Sequence, residues 1–435
     1  MTVAHYDGHT YDFGKTPKED LGEVVKNIER EKPLKPTSIF IPTTVSDAVD
    51  LKSLETDNPR LTPSANNILI TLSKQKYPHE LIIGIDRAEK PVFDIINKLL
   101  PEFPYRVVTI WDDDPRILQW QKELKEEHNY PILGGKGLNM WKAMGFAFME
   151  EDRYKDAKPP VFVAHDMDIH KSVYDETFVP FLVHPIIHPE IPMNYTKAYY
   201  ERVTEKKGAC FFTARLRRGL FASFLLALRY SLIGNNLNVR DLRDYAASFK
   251  YPTSGEYAFD PNLIGEMLIP SDWALETGII LNMFNKEKKI GQVDLERYRH
   301  KRTPLSPGNI NDGINKMGIE VLKFFFRKID AIGCKDLSSK SVYENLKSNF
   351  KYFTEEMLKA TLYVTKNRPR FDFDPEERVA RDMFLECFDI AYKTYKADPA
   401  ELSQLQNWEN VPVAYRNRWM EIIEDQNPLL KKILK

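Results

Sequence analysis

Two carboxylates, Asp166 and Asp168, follow directly on an apolar run, Val161-Phe-Val-Ala-His165. Residues i and i+2 leaving a strand point to the same side. Two carboxylates so placed can hold one hard divalent cation that keeps coordination positions open for phosphate oxygens. Mg2+ or Mn2+ held there can neutralise the charge of a departing nucleotide diphosphate. Taken alone, the pair reads equally well as turn or capping residues; its place after the fourth apolar strand of a series favours chemistry. A second segment, Gly134-Gly-Lys-Gly137, opens a helical pattern at 138–150. Glycines and a lysine at a helix N-terminus suit an anion, although the G-x-x-x-x-G-K-[ST] spacing of a P-loop is absent. The alternative is a plain helix start with a solvated lysine.

Three further segments carry titratable groups. Gly255 and Glu256 lie in Tyr251-Pro-Thr-Ser-Gly-Glu256-Tyr-Ala, and Glu276 lies in Leu275-Glu-Thr-Gly278, inside an otherwise apolar helical pattern. A buried carboxylate has a partner or a task, and a structural ion pair is the commoner outcome. His300 and Arg302 sit among cations just past a strand-like segment. Arg215, Arg217 and Arg218 precede an apolar run at 220–228, either as a solvated helix face or facing an anion.

The elements that must position these groups alternate in type. Apolar runs at 38–42, 81–86, 106–111 and 161–165 are separated by helical patterns near 63–76, 90–100, 114–127 and 136–150. That order predicts an α/β fold with a mostly parallel sheet covered on both faces. Ligands in such sheets sit at the carboxyl ends of strands, where Asp86, residues 112–114, Asp166 and Asp168 fall. A helix is expected at 17–32, strands at 194–203 and 290–299, helices at 214–230, 261–267 and 272–284, and a loop at 252–255. Beyond Pro304 and Pro307 the periodicity is helical, at 314–330, 340–350, 354–366 and 375–394.

Composition narrows the class. At 435 residues the chain is long enough for two domains, or one large domain with an appendage. Its 62 basic and 63 acidic residues leave a net charge of -1, which gives no support to nucleic-acid or polybasic membrane binding. Hydrophobic residues at 43% and aromatics at 12% exclude a disordered chain. Cys210, Cys334 and Cys387 form no C-x-x-C pair, which disfavours a structural zinc site and fits a reducing, cytoplasmic setting. The polar start reads as no signal peptide, and no apolar stretch approaches the ~20 residues of a membrane span.

In this order the segments resemble the glucosyl-3-phosphoglycerate synthases and their mannosyl-transferring relatives, retaining nucleotide-sugar-dependent glycosyltransferases of the GT-A fold. The resemblance covers about residues 36–306. It rests on the Pro42 loop, the Gly-Lys-Gly helix start, Asp166-x-Asp168, Gly255-Glu256-Tyr-Ala, Glu276-x-Gly278 and His300-x-x-x-Pro304-Leu305. It implies a GT-A, Rossmann-like domain organised as an N-terminal helical extension (1–35), a nucleotide-sugar-binding half (36–190), an acceptor-binding half (191–306) and a helical C-terminal extension (307–435). It implies that Pro42, Thr43, Thr44 and Asp86 frame the nucleoside, that Gly135 and Lys136 approach the base or diphosphate, and that Asp166 contacts the nucleotide. It further implies that Asp168 and His300 hold Mg2+ or Mn2+, that Gly255 and Glu256 lie by the donor sugar, and that Thr213 lies by the acceptor. Catalytic roles fall to Glu276 and Asp168.

The implied reaction moves a hexose, glucose favoured and mannose the alternative, from a UDP- or GDP-sugar to 3-phosphoglycerate, in a cytoplasmic homodimer with no nucleic acid and no membrane span. Where the family has Pro-x-x-Asn-Glu this chain has Pro42-Thr-Thr-Val-Ser46, and Phe211 and Arg302 stand where an arginine and an asparagine are expected. Arg302, with Arg215 and Arg218, is therefore expected to bind the acceptor phosphate; an unphosphorylated glycerate or polyol acceptor is the alternative. Two other classes stay open. A metal-dependent phosphohydrolase would use His165, His170, His184 and His188 around the aspartate pair, and a non-catalytic sugar-nucleotide scaffold would use the helical tail.

Overall fold

The structure, a computed structural model, describes residues 5–15, 20–31, 37–132, 134–153, 161–188, 190–206, 209–213, 215–266, 268–299, 305–311, 313–367, 372–398 and 404–430. Its strands are β1 (His5–Tyr6), β2 (Tyr11–Lys15), β3 (Thr37–Thr44), β4 (Pro78–Asp86), β5 (Arg106–Trp111), β6 (Val161–Ala164), β7 (Tyr195–Lys206), β8 (Ala209–Phe212), β9 (Tyr257–Phe259), β10 (Ile269–Pro270), β11 (Ile290–Arg299) and β12 (Gln404–Leu405). Ten of them form one sheet in the order β1-β2-β11-β7-β9-β6-β3-β4-β5, with β8 paired to β7. Strands β6, β3, β4 and β5 run parallel, as do β2, β11 and β7. Antiparallel β9 joins the two sets. The mostly parallel α/β sheet expected from the alternation is thus present.

Strand alternation explains why both faces are covered. Phe40, Ile82, Val108, Ile110 and Phe162 point into one apolar cluster, which includes Met140, Trp141 and Met144 of the helix Lys136–Arg153. Ile39, Ile41, Leu81, Ile83, Ile85 and Val163 point into the other, with Ile68, Leu69 and Leu72 of the helix Pro63–Ser73. Near-continuous apolar strands are what a parallel sheet with two buried faces requires.

The structure corrects several expectations. Residues 1–35 are not helical throughout: β1 and β2 form a hairpin, and β2 pairs in parallel with β11, ahead of the helix Leu21–Glu31. Phe13, 3% exposed, anchors that short edge strand. The helices expected at 340–350 and 354–366 are one, Lys340–Asn367, within which the Thr354 hydroxyl bonds back to the Phe350 carbonyl. Residues 261–266 form only a 3-10 turn. Within the expected helix at 214–230, Leu216–Ala222 winds as a π-helix before the α-helix Ser223–Arg229. No helix among the described residues is long and apolar enough to cross a membrane.

The helical tail shares its core with the sheet. Trp408 stacks on Trp141, ring centroids 4.5 Å apart, and lies 5.9 Å from Trp120 and 5.8 Å from Trp419. Trp141 Nε1 donates to the Gln406 carbonyl at 2.7 Å, and Trp408 Nε1 donates to the Trp141 carbonyl at 2.8 Å. The tail also satisfies the free edge of β5: Asn427 bonds the Thr109 N–H at 3.0 Å and its carbonyl at 2.8 Å, and Gln426 accepts from the Trp111 N–H at 2.9 Å. An uncovered edge strand invites pairing with another chain. Because the four indoles form one packed group, Trp408→Ala is expected to cost about 3–5 kcal/mol of stability. Denaturant titration measures it, and a loss below about 1 kcal/mol would show that the tail is not held by this cluster.

Candidate active site

A cavity of about 490 Å3 opens at the carboxyl ends of β3, β4 and β6. Register sets its floor. Pro42 and Thr44 of β3 pair with Gly84 and Asp86 of β4, and these positions face the helix Lys136–Arg153 side of the sheet. The cavity brings together Pro42, Thr43, Thr44, Asp86, Gly135, Lys136, Asp166, Asp168, Thr213, Arg215, Gly255 and Glu276, the great majority of the residues singled out from sequence. His300 and Arg302 lie outside the described residues.

Lys136 is the hub. Its ammonium donates to Asp166 Oδ1 and to Glu276 Oε1, each at 2.6 Å. Burial works against its charge, but the two carboxylates hold its pKa well above the ordinary lysine value. The approach depends on Gly137, where a Cβ would lie 1.9 Å from the Pro270 carbonyl oxygen. With that space empty, the Leu138 N–H reaches the Ser271 carbonyl at 3.0 Å, and the helix Leu275–Asn282 is brought to the lysine. Gly255 plays the matching part at Asp166: a Cβ there would sit 2.5 Å from Asp166 Oδ2.

Two expected roles need correction. Glu256 does not line the cavity. It is fully buried and accepts hydrogen bonds from Tyr200 at 2.7 Å and Tyr298 at 2.5 Å, whose rings stack 3.9 Å apart. Burial and the Asp166 charge push its carboxyl above the ordinary glutamate value, against those two bonds. It supports the wall that Tyr200 and Tyr298 present. Arg215 and Arg218 are engaged by the tail: Arg215 bonds Asp374 and, at 3.2 Å, Glu377, and Arg218 bonds Glu377 at 3.2 Å. Carboxylates of this chain thus already neutralise the guanidiniums expected to meet the acceptor.

The histidine cluster of the phosphohydrolase reading does not form. None of His165, His170, His184 and His188 lines the cavity. His165 is fully buried, its Nε2 3.2 Å from the Tyr174 hydroxyl, and burial pushes its pKa down to about 4. His184 is pushed to about 4 by burial and packs edge-on against His188. Among the described residues no three His, Cys, Asp or Glu side chains converge as a metal site. Asp168 lines the cavity and carries carboxylate oxygens of the kind hard divalent cations take. The histidine that would join it, His300, is not among the described residues.

Sequence reasoning missed other contributors. Lys197 in β7 is fully buried, donates to the Ser254 carbonyl at 2.6 Å and lies 5.0 Å over the Tyr257 ring. Burial pushes its pKa down to about 7, although Glu276 and Glu256 favour the charge. Its signal was a lysine on the inward side of a strand otherwise lined by aromatics. Arg202, Tyr251 and Thr253 also line the cavity, as do Asn311, Ile314, Lys316 and Met317 from the tail. Only folding places these last residues, because no local pattern marks them.

No family model matches the chain. It is similar to the glucosyl-3-phosphoglycerate synthase of Persephonella marina, 26% identical over 375 residues that span 84% of this chain and 87% of that protein. It is similar to the glucosyl-3-phosphoglycerate synthase of Methanococcoides burtonii, 24% identical over 386 residues, 88% of each chain. A solved structure of glucosyl-3-phosphoglycerate synthase from Mycobacterium tuberculosis with Mn2+, uridine-diphosphate-glucose and phosphoglyceric acid is 19% identical, with a TM-score of 0.47 over 73% of this chain and 87% of that one.

Gly255→Ala pushes on the movable end of the Asp166 side chain and not on backbone, so the fold is expected to survive while turnover falls on the order of 100-fold. Thermal melts and steady-state rates check this; unchanged turnover would show that the carboxylate need not sit where it does. Lys197 supplies a pH prediction. Its folded pKa, near 7, lies below the unfolded value, so the folded state releases its proton first as pH rises. The burial penalty, full below about pH 7, is relieved above it. Wild type should gain about 2 kcal/mol over Lys197→Met between about pH 7 and 9. A pH-independent difference in denaturation free energy would refute it.

Proposed function

We propose that this chain is a retaining GT-A glucosyltransferase that moves glucose from a nucleoside diphosphate sugar to 3-phosphoglycerate. One observation carries the reading. The segments that resemble the synthases, scattered from Pro42 to Glu276, converge on a single cavity, in a chain 26% identical to a curated synthase over 84% of its length.

Each end of the cavity has its task. Pro42, Thr43, Thr44 and Asp86 frame the nucleoside. Asp168 and His300 would hold Mg2+ or Mn2+, which supplies positive charge to the leaving diphosphate. Lys136, held protonated by Asp166 and Glu276, fixes the Glu276 side chain as an acceptor for hydroxyls of sugar or acceptor. A carboxylate so neutralised is a poor nucleophile, which favours attack on the same face of the sugar with no glycosyl adduct on Glu276. Thr213 meets the acceptor, and Arg302 is assigned to its phosphate. An α-linked product from an α-linked donor is expected, and a β linkage in the product NMR spectrum would refute retention.

The decisive assay incubates the protein with UDP- and GDP-linked glucose and mannose, Mn2+ or Mg2+, and 3-phosphoglycerate or glycerate. Nucleoside diphosphate release that requires 3-phosphoglycerate and a glucosyl donor is expected. Excess chelator should abolish it, and Asp168→Ala should lose metal-dependent nucleotide binding. Full activity in chelator would sink the metal assignment. Phosphate release from simple esters would identify a hydrolase, and nucleotide binding without any turnover a scaffold.

A further inference from the structure

Asn139 lies one turn into the helix Lys136–Arg153, between Leu138 and Met140, which are buried in the apolar core. It is 4% exposed and lines the cavity. Its carboxamide rests on Gly84 of β4: a Cβ there would lie 2.1 Å from Asn139 Oδ1 and 2.9 Å from Nδ2. A side chain at 84 would displace the amide, so the glycine holds the space for it. Gly84 pairs with Pro42 of β3, and Asp86, two residues on, faces the same side of the sheet. The amide therefore sits over the strand ends to which the nucleoside is assigned.

Neither Oδ1 nor Nδ2 of Asn139 has a hydrogen-bond partner among the described residues. The other buried asparagines among those residues have partners. Asn282 donates to the Leu268 carbonyl at 2.8 Å and to Gln404 Oε1 at 2.9 Å. Asn315 donates to the Ser306 carbonyl at 2.8 Å and to the Asn309 carbonyl at 3.0 Å. Neither of these two lines the cavity. A buried donor and acceptor left without partners carry their full desolvation cost, so an amide kept that way in a cavity wall is matched to what enters the cavity. Lys136, one turn earlier, already gives its ammonium to Asp166 and Glu276. A carboxamide presents one acceptor and one donor side by side in a plane. Its flat complement is the edge of a nucleobase, where an N–H lies beside a carbonyl in both uracil and guanine.

We propose that the Asn139 carboxamide reads the nucleobase of the sugar donor: its oxygen accepts from the ring N–H of uracil or guanine, and its nitrogen donates to the adjacent carbonyl. The inference rests on the glucosyl-transfer reading for the presence of a nucleoside diphosphate in the cavity. Asn139 belongs to none of the motifs that carry the resemblance.

Calorimetric titration of the full chain with Mn2+ and UDP, GDP or the analogue of each methylated on the ring N–H tests it on wild type, Asn139→Leu and Asn139→Ala. Wild type should bind the methylated analogue about 10- to 100-fold more weakly than its parent. A penalty in the uracil pair identifies a uridine donor, and one in the guanine pair a guanosine donor. Asn139→Leu keeps the volume but not the hydrogen bonds, and should bind the parent nucleotide about 10- to 100-fold more weakly than wild type does. Asn139→Ala leaves room for the methyl group, so parent and analogue should bind within about threefold of one another; if Asn139→Leu does not fold, this variant carries the test. Folded variants that bind the parent as wild type does overturn the inference. So does a methylation penalty that persists undiminished in Asn139→Ala; glucosyl transfer then still stands. A wild type that shows the Asn139-dependent penalty but transfers no glucose sinks the glucosyl-transfer reading and leaves the base contact in place.

Discussion

Three stretches of chain meet at the Lys136 ammonium. Asp166 lies 30 residues and Glu276 140 residues away in sequence, yet each places a carboxylate oxygen 2.6 Å from the same nitrogen. An ammonium drawn partly out of water needs counter-charges, and two carboxylates facing one cavity repel each other unless a cation stands between them. Removing Lys136 would leave two partly buried carboxylates facing one another without their counter-charge, at a typical cost of about 3–5 kcal/mol. Its geometry depends on two places where backbone comes within the reach of a missing side chain. Gly137 lets the helix start dock on Pro270 and Ser271, and Gly255 lets its loop press on Asp166.

Around this triad the walls are held by groups that never face the ligand. Glu256 fixes the stacked pair Tyr200 and Tyr298, and Lys197 holds the carbonyl of Ser254, the residue before Gly255. Both are fully buried titratable groups. Burial raises the one and lowers the other, and each is satisfied by a small number of well-placed bonds. Such groups specify one arrangement of a wall, because any other arrangement would leave them without partners.

The tail belongs to the same machine. Its first helix, Gly313–Ala331, contributes Ile314, Lys316 and Met317 to the cavity. Its helix Glu376–Ala397, together with Asp374 just before it, engages Arg215 and Arg218 at the π-helical turn Leu216–Ala222. Widened turns of this kind recur at functional sites. By pairing with Arg215 and Arg218, the tail also neutralises two guanidiniums beside the cavity.

Read on its own, the sequence determined the periodic parts. Apolar runs bounded by proline and acidic residues predicted β3, β4, β5 and β6, because a strand buried on both faces has no polar side to show. The position of Asp166 and Asp168 followed from strand alternation alone. The resemblance then placed Lys136, Gly255 and Glu276 in one set, and the fold brings them to one cavity. Local pattern could not supply partner choice. Arg215 and Arg202 are equally plausible anion ligands in a one-dimensional string. Only the packed tail shows that Asp374 and Glu377 claim Arg215, and only the strand pairing sets Arg202 across from Thr213 at the cavity. Glu256 is expected beside the donor sugar and Glu276 beside sugar or acceptor, and tertiary contacts alone give the first to two tyrosines behind the wall and the second to Lys136 at the cavity. Periodicity records which side of an element is apolar. The identity of a counter-charge is set by residues more than a hundred positions away, and only the folded chain brings them within a hydrogen bond.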